Sequence, residues 1–176
     1  SEQAEQARQQ TPQFMLNTAV SFGYKHDEWS QRTESLQDRL AAAIHLLRDE
    51  QDEIRRRVAG LLSRDPALLA QKFSAKDPLI QTILKSIGLT QDRQTRQVFL
   101  SLLRQILPAG HKWQPVALSQ EEDALLAYQA LEDSPVGNEA ARLIGHLRSE
   151  KALQTAFKAA SPKRRLPVLL RTLQTA

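Results

Sequence analysis

Residues 31–63 read QRTESLQDRLAAAIHLLRDEQDEIRRRVAGLLS, and the spacing of their apolar positions decides the fold class. Leu40, Leu47, Ile54 and Leu61 fall seven residues apart, while Ile44, Gln51 and Val58 repeat at the same interval between them. This is the a/d pattern of a heptad helix, sustained with no proline inside it. At the rise of an α-helix, an unbroken rod over this stretch is about 50 Å long. The expectation is a coiled-coil or bundle helix against which shorter segments assemble. Gln51 occupies the middle of the seam, where a polar side chain fixes register or partner number, so the edge around Gln51 is a candidate partner-binding position. The plainer alternative is a glutamine reaching solvent at a bundle edge.

Beyond Ser63 the chain punctuates itself. Asp65-Pro66 and Asp77-Pro78 each place an N-cap acid before a proline at the first helical position, where the missing N–H has no intrahelical partner anyway. They predict helices over 66–74 and 78–87. Gly88 suits the end of the second. Thr90 can cap a helix running to Leu107, with Phe99, Leu102, Leu103 and Ile106 on its apolar face. The stretch 108–118, holding Pro108, Gly110, Trp113 and Pro115, reads as a loop and as a candidate sub-boundary. Ser119 and Glu122 have capping-box spacing and open a helix to about Glu132. Ser134-Pro135 and Ser161-Pro162 repeat the cap-and-proline device, giving helices near 135–148, 150–160 and 162–175. Pro167 offers a second start for the last helix, because proline inside a helix loses one hydrogen bond. No stretch alternates apolar and polar long enough to argue for a strand. The fold class is all-α, a compact bundle of six to eight helices built on one long heptad-bearing helix.

Upstream, residues 1–13 (SEQAEQARQQTPQ) have almost nothing to bury and read as a flexible arm, leaving 14–176 as one all-α domain. The stretch Phe14–Trp29 carries four of the nine aromatic residues and reads as a short helix and turn packed on the main body.

The 176 residues contain no cysteine, which excludes disulfides, thiolate metal ligands and cysteine nucleophiles. No apolar run is long enough to span a bilayer, and the N-terminus lacks a basic-then-apolar leader, so the expected location is cytoplasmic and no membrane partner is expected. The net charge of +4 hides an uneven distribution. Residues 140–176 hold eight bases against Glu150 alone, a balance of +7, whereas the first 139 residues sum to −3. No base occurs between Lys112 and Arg142, a stretch that contains six acids.

Two readings of the basic tail follow. Arg148, Lys158, Lys163, Arg164, Arg165 and Arg171 present charge to a polyanion or an acidic protein face, or the acidic block packs beside them and the charges screen each other. Phe157 is the one aromatic residue in the tail, so a stacking platform for single-stranded nucleic acid is not supported. The triplet Arg55-Arg56-Arg57 looks like a second phosphate site, but Asp52 and Glu53 lie four residues before Arg56 and Arg57, the order that favours intrahelical pairing on a solvated face. The run LIQTILKSIGLTQDRQTRQVF (79–99) invites comparison with a DNA-binding helix-turn-helix, but Leu84, Gln94 and Gln97 fall where that motif wants a small residue and two apolar ones.

Chemistry-bearing motifs are missing. His26, His45, His111 and His146 are isolated, with no pair at helical ligand spacing. There is no glycine-rich phosphate loop and no G-x-S-x-G turn. The expectation is a protein that is not an enzyme, with no catalytic residues, cofactor or metal. Its function reads as a protein–protein interaction, adaptor or assembly module that binds a protein partner or itself, or alternatively as a nucleic-acid-binding accessory protein using the basic C-terminal segment.

Overall fold

A computed structural model describes residues 35–174 of the chain. The expected arm, the aromatic stretch Phe14–Trp29 and the first residues of the expected rod lie outside the described residues. Nine helices occur among the described residues: α1 (Leu36–Leu47), α2 (Asp52–Leu62), α3 (Pro66–Leu69), α4 (Pro78–Leu89), α5 (Arg93–Ile106), α6 (Gln120–Ala130), α7 (Pro135–Leu147), α8 (Glu150–Ala159) and α9 (Pro162–Leu173). The all-α class stands, with more helices than the six to eight expected.

The long rod does not exist. Residues 48–51 break it into α1 and α2, which pack against each other. The break has local and tertiary causes. Ser35 caps α1 by accepting from the amide of Asp38. Within the break, the Asp49 carboxylate accepts the Gln51 amide at 2.8 Å, a turn that competes with helix. Arg55 then donates to the Asp49 carbonyl and the Asp52 carboxylate, and its Nε reaches Thr90 Oγ1 at 3.0 Å. Asp52 in turn accepts the amides of Gln91 and Asp92 at 3.0 and 3.3 Å. The corner between α1 and α2 is thereby clamped to the corner between α4 and α5. The heptad residues Leu40, Leu47, Val58 and Leu61 are interior, but they serve a core made by this chain's own short helices. Gln51 is no seam residue: it is the exposed N-cap of α2, and its side chain makes no capping bond.

The cap-and-proline signals are realised. Asp65, Asp77 and Ser134 cap α3, α4 and α7 through their side chains, though α3 ends at Leu69 rather than near 74; Ser161 holds the N-cap position of α9 without a side-chain bond, and Ser119 with Glu122 forms the full capping box of α6. The cap of α5 is Asp92 rather than Thr90, because Thr90 is drawn inward by Arg55 while Asp92 accepts the Thr95 amide at 2.9 Å. Helix α9 runs through Pro167. The hydrogen bond that Pro167 cannot make belongs to the carbonyl of Lys163, an exposed residue that water can serve.

Two helices organise the core. Around α5 lie α2, α3 and α4, and around α7 lie α6, α8 and α9, while α5 and α7 pack on each other. The loop 108–118 connects these halves and is stitched to the end of α7: the amides of Gly110 and Val116 donate to the carbonyls of His146 and Leu147 at 2.8 and 3.0 Å. Those carbonyls belong to the last turn of α7, where the helix itself offers no donor. His146 also bonds the Leu107 carbonyl through Nε2 at 2.9 Å.

Candidate functional site

The C-terminal hairpin of α8 and α9 carries most of the candidate residues. Ser149 starts α8, accepting the Ala152 amide and donating to the buried Asp123 at 2.7 Å, which ties α8 to α6. Helix α9 is held by Arg164, Val168 and Thr172, spaced i, i+4, i+8 and all buried. Its opposite face shows Leu166, Leu170 and Leu173, which are 61, 51 and 59% exposed. The apolar stripe is therefore on the side of α9 that this chain's described residues leave uncovered, while the covered side is held by Arg164, Val168 and Thr172.

The basic candidates separate into three groups. Arg164 is 6% exposed and is corrected from a partner contact to a structural bolt: its Nε donates to the Ala130 carbonyl at 3.1 Å and its terminal nitrogens reach Asn138 Oδ1 at 3.4 Å. Its charge sits 3.7 Å from the Asp133 carboxylate. Arg171 is half-buried and donates to Gln174 Oε1 at 3.1 Å. Arg148, Lys158, Lys163 and Arg165 are exposed and make no ion pair with a carboxylate among the described residues. Arg165 lies over Phe157, 5.5 Å from the ring centre.

The acidic block is committed elsewhere. Glu132 takes Arg93 and Arg96 at 2.9 and 2.6 Å, and Glu139 takes Arg104 and Arg142 at 3.4 and 3.0 Å. Glu122 closes its capping box and accepts from Gln81, and Asp123 holds Ser149. Internal screening therefore reaches the tail through the pairs Arg142–Glu139 and Arg164–Asp133, leaving the exposed cations of α8 and α9 without a carboxylate partner among the described residues. Gln51 lies in the other half of the fold, so the structure does not bring it together with the basic candidates.

Two hollows adjoin the hairpin. One, of about 210 Å³, lies among α7, α8 and α9 and is lined by Ile144, Leu153 and Leu173 with Lys112 and Arg148. The other, of about 360 Å³, shares Lys112 and Arg148 and runs beneath Val116 and Leu118. Trp113, next to Lys112 on the turn closed by paired hydrogen bonds between His111 and Gln114, is 88% exposed. Arg148 adopts φ 58° at the end of α7, the left-handed conformation where glycine is at ease.

A further hollow of about 580 Å³ lies at the corner of α4, α5 and α6 and is lined by Arg93, Arg96, Tyr128 and Glu132. Burial acts to raise the Glu132 pKa, but the hydrogen bond and charge of Arg96, with the charge of Arg93, outweigh it and hold the carboxyl below its ordinary value. These arginines face α6, so the start of α5 is no free recognition helix. Of the basic triplet, Arg57 meets Glu53 as the i, i+4 spacing predicts, but Arg56 shares that Glu53 instead of pairing with Asp52, which Arg55 takes in the clamp described above. No group of three or more His, Asp and Glu side chains able to hold a metal occurs among the described residues. Nor is any helix among them long and apolar enough to cross a membrane.

Sequence reasoning missed the outer leucines of α9 and Trp113. The signal was present: PKRRLPVLLRTL carries six apolar side chains besides its first proline, more than one face of a three-turn helix can bury. Comparisons with protein-family models, curated proteins and solved structures found no match.

Proposed function

We propose that the chain is a non-enzymatic protein–protein interaction module whose docking face is the outer side of α9 with the adjoining cleft. The observation that carries this reading is the stripe of exposed leucines, Leu166, Leu170 and Leu173, on the side of α9 turned away from its buried residues Arg164, Val168 and Thr172. An exposed leucine alone is ordinary, but three at i, i+4 and i+7 on one helix, bordered by basic residues, have the form of a helix-docking surface. Trp113 and the cleft extend the same surface with an aromatic anchor and a recess.

The test is a photo-reactive side chain placed at position 170 in the cells that make the protein, with position 94, an exposed glutamine on α5, as the reference. Protein adducts at 170 that are absent at 94, and that vanish when Leu166 and Leu173 are changed to Asp, are the expected result. Equal adducts at both positions contradict the reading.

A second reading, a nucleic-acid-binding accessory role, is favoured by the exposed cations Arg148, Lys158, Lys163 and Arg165, which have no carboxylate partner among the described residues. Nucleic acid as the position-170 adduct, with affinity falling steeply as salt rises, would replace the first reading with this one.

A further inference from the structure

Resting on the docking reading above, we infer that the occupant of the α9 face is an acidic amphipathic helix of a protein partner, with one apolar side chain seated in the cleft between α7, α8 and α9.

Charge restricts the occupant first. Between Ser149 and Gln174 the only acid is Glu150, while Lys151, Lys158, Lys163, Arg165 and Arg171 lie on α8 and α9. Lys163 shares the outer side of α9 with Leu166, three residues on. A second copy of this chain docking through the same patch would set like charges against one another about a two-fold axis. A partner bearing carboxylates meets no such repulsion.

Shape restricts it further. The leucine stripe rises at i, i+4, i+7 and ends at Leu173, which also lines the cleft with Ile144 and Leu153. A helix laid along α9 presents side chains at matching intervals, so its last apolar residue can enter the recess. Lys112 and Arg148 border that recess against the single acid Glu150, a net positive rim that a carboxylate one turn away on the partner would reach.

Arg148 supplies an independent observation. It holds a left-handed backbone that glycine adopts without penalty, and its exposed side chain has no carboxylate partner among the described residues. Backbone strain of this kind concentrates at functional sites, and Arg148 stands at the edge of the recess.

The partner is unidentified, so the probe is a labelled synthetic helix of about five turns, with leucines at i, i+4, i+7 and i+11 and glutamates on the flanks. Its controls are a scrambled peptide and the same helix with Gln in place of Glu, and binding is read by fluorescence anisotropy. The acidic helix should bind at least about tenfold more tightly than either control. Leu170→Ser should remove about tenfold against both helices, whereas Arg148→Glu with Lys112→Glu should weaken the acidic helix alone. If the Gln helix binds as tightly as the acidic one and is equally sensitive to Leu170→Ser, the docking face survives and the acidic partner is refuted. If neither helix binds better than the scramble, the inference falls, and the position-170 adduct decides separately whether the docking reading falls with it. A wild-type dimer that Leu170→Ser dissociates would assign the face to a second copy. Leu170-dependent binding to phosphatidylserine vesicles would assign it to a lipid surface. Either result overturns the inference.

Discussion

Arg164 Nε donates to the carbonyl oxygen of Ala130 at 3.1 Å inside the fold, while Arg165, its neighbour, lies outside against the Phe157 ring. Adjacent arginines thus have opposite duties. Truncating Arg164 leaves the Ala130 carbonyl and Asn138 without their donor, so Arg164→Ala should lower the unfolding free energy by about 2–4 kcal/mol. Lys163→Ala and Arg165→Ala should stay within about 0.5 kcal/mol of the parent. Urea denaturation of the three variants checks the division, and equal losses would contradict it.

Arg148→Gly should separate stability from binding. Relief of the left-handed backbone should raise stability by about 0.5–1 kcal/mol. The same change removes a cation from the cleft and should weaken the acidic helix. Calorimetry and peptide binding on one sample test both halves, and a destabilised variant would mean that Arg148 has a structural partner.

Asp65 joins Arg39 in a buried pair, with Arg39 Nε donating at 3.0 Å, and also caps α3 through the amides of Ala67 and Leu68. Asp65→Ala removes the buried carboxylate that Arg39 Nε donates to and uncaps the helix together. A loss of about 3–5 kcal/mol is expected in thermal or chemical unfolding.

Gly137 sits in the first turn of α7, where an added Cβ would overlap the Glu132 carbonyl and crowd the Arg164 guanidinium. Backbone cannot give way as a flexible side chain can, so Gly137→Ala should cost about 3 kcal/mol. Gly60, whose added Cβ would meet nothing, should accept alanine without loss and with a small gain in helix propensity. Unfolding midpoints of the two variants give the comparison.

Acid should loosen the corner of α5 and α6. Burial alone would raise the pKa of Glu132, but Arg96 and Arg93 bring it below its unfolded value. Its stabilising contribution is therefore complete above the ordinary carboxylate range of about 4 and is lost as pH falls through that range toward the folded pKa. Glu132→Gln should be less stable at neutral pH and should lose less stability between neutral pH and acid. Parallel stability–pH curves for variant and parent would contradict this role.

The helix starts were legible because each is written in adjacent residues: an acid or serine followed by proline, or the Ser119–Glu122 pair, reports its own geometry. The broken rod was not legible in the same way. The apolar phase passes unbroken from Leu47 to Ile54, and beside the local Asp49–Gln51 turn the break is held by Thr90, Gln91 and Asp92, some forty residues away, acting through Arg55 and Asp52. Periodicity reports which residues are buried, and Leu40, Leu47, Val58 and Leu61 are; it does not report whether one helix or two bury them. At the candidate site, charge counting found the tail but could not separate Arg164 from Lys163 and Arg165. That division depends on which face of α9 meets Ala130, Asn138 and α7.

The claim that α9 keeps its outer leucines for a partner rather than for its own core is tested most directly by the unfolding free energy of the full-length triple variant Leu166→Ser, Leu170→Ser, Leu173→Ser. A value within about 1 kcal/mol of wild type is predicted, beside a loss of about 3 kcal/mol for Val168→Ala on the inner face. A loss in the triple variant as large as that of Val168→Ala would mean that this chain already covers the stripe, and would contradict the account.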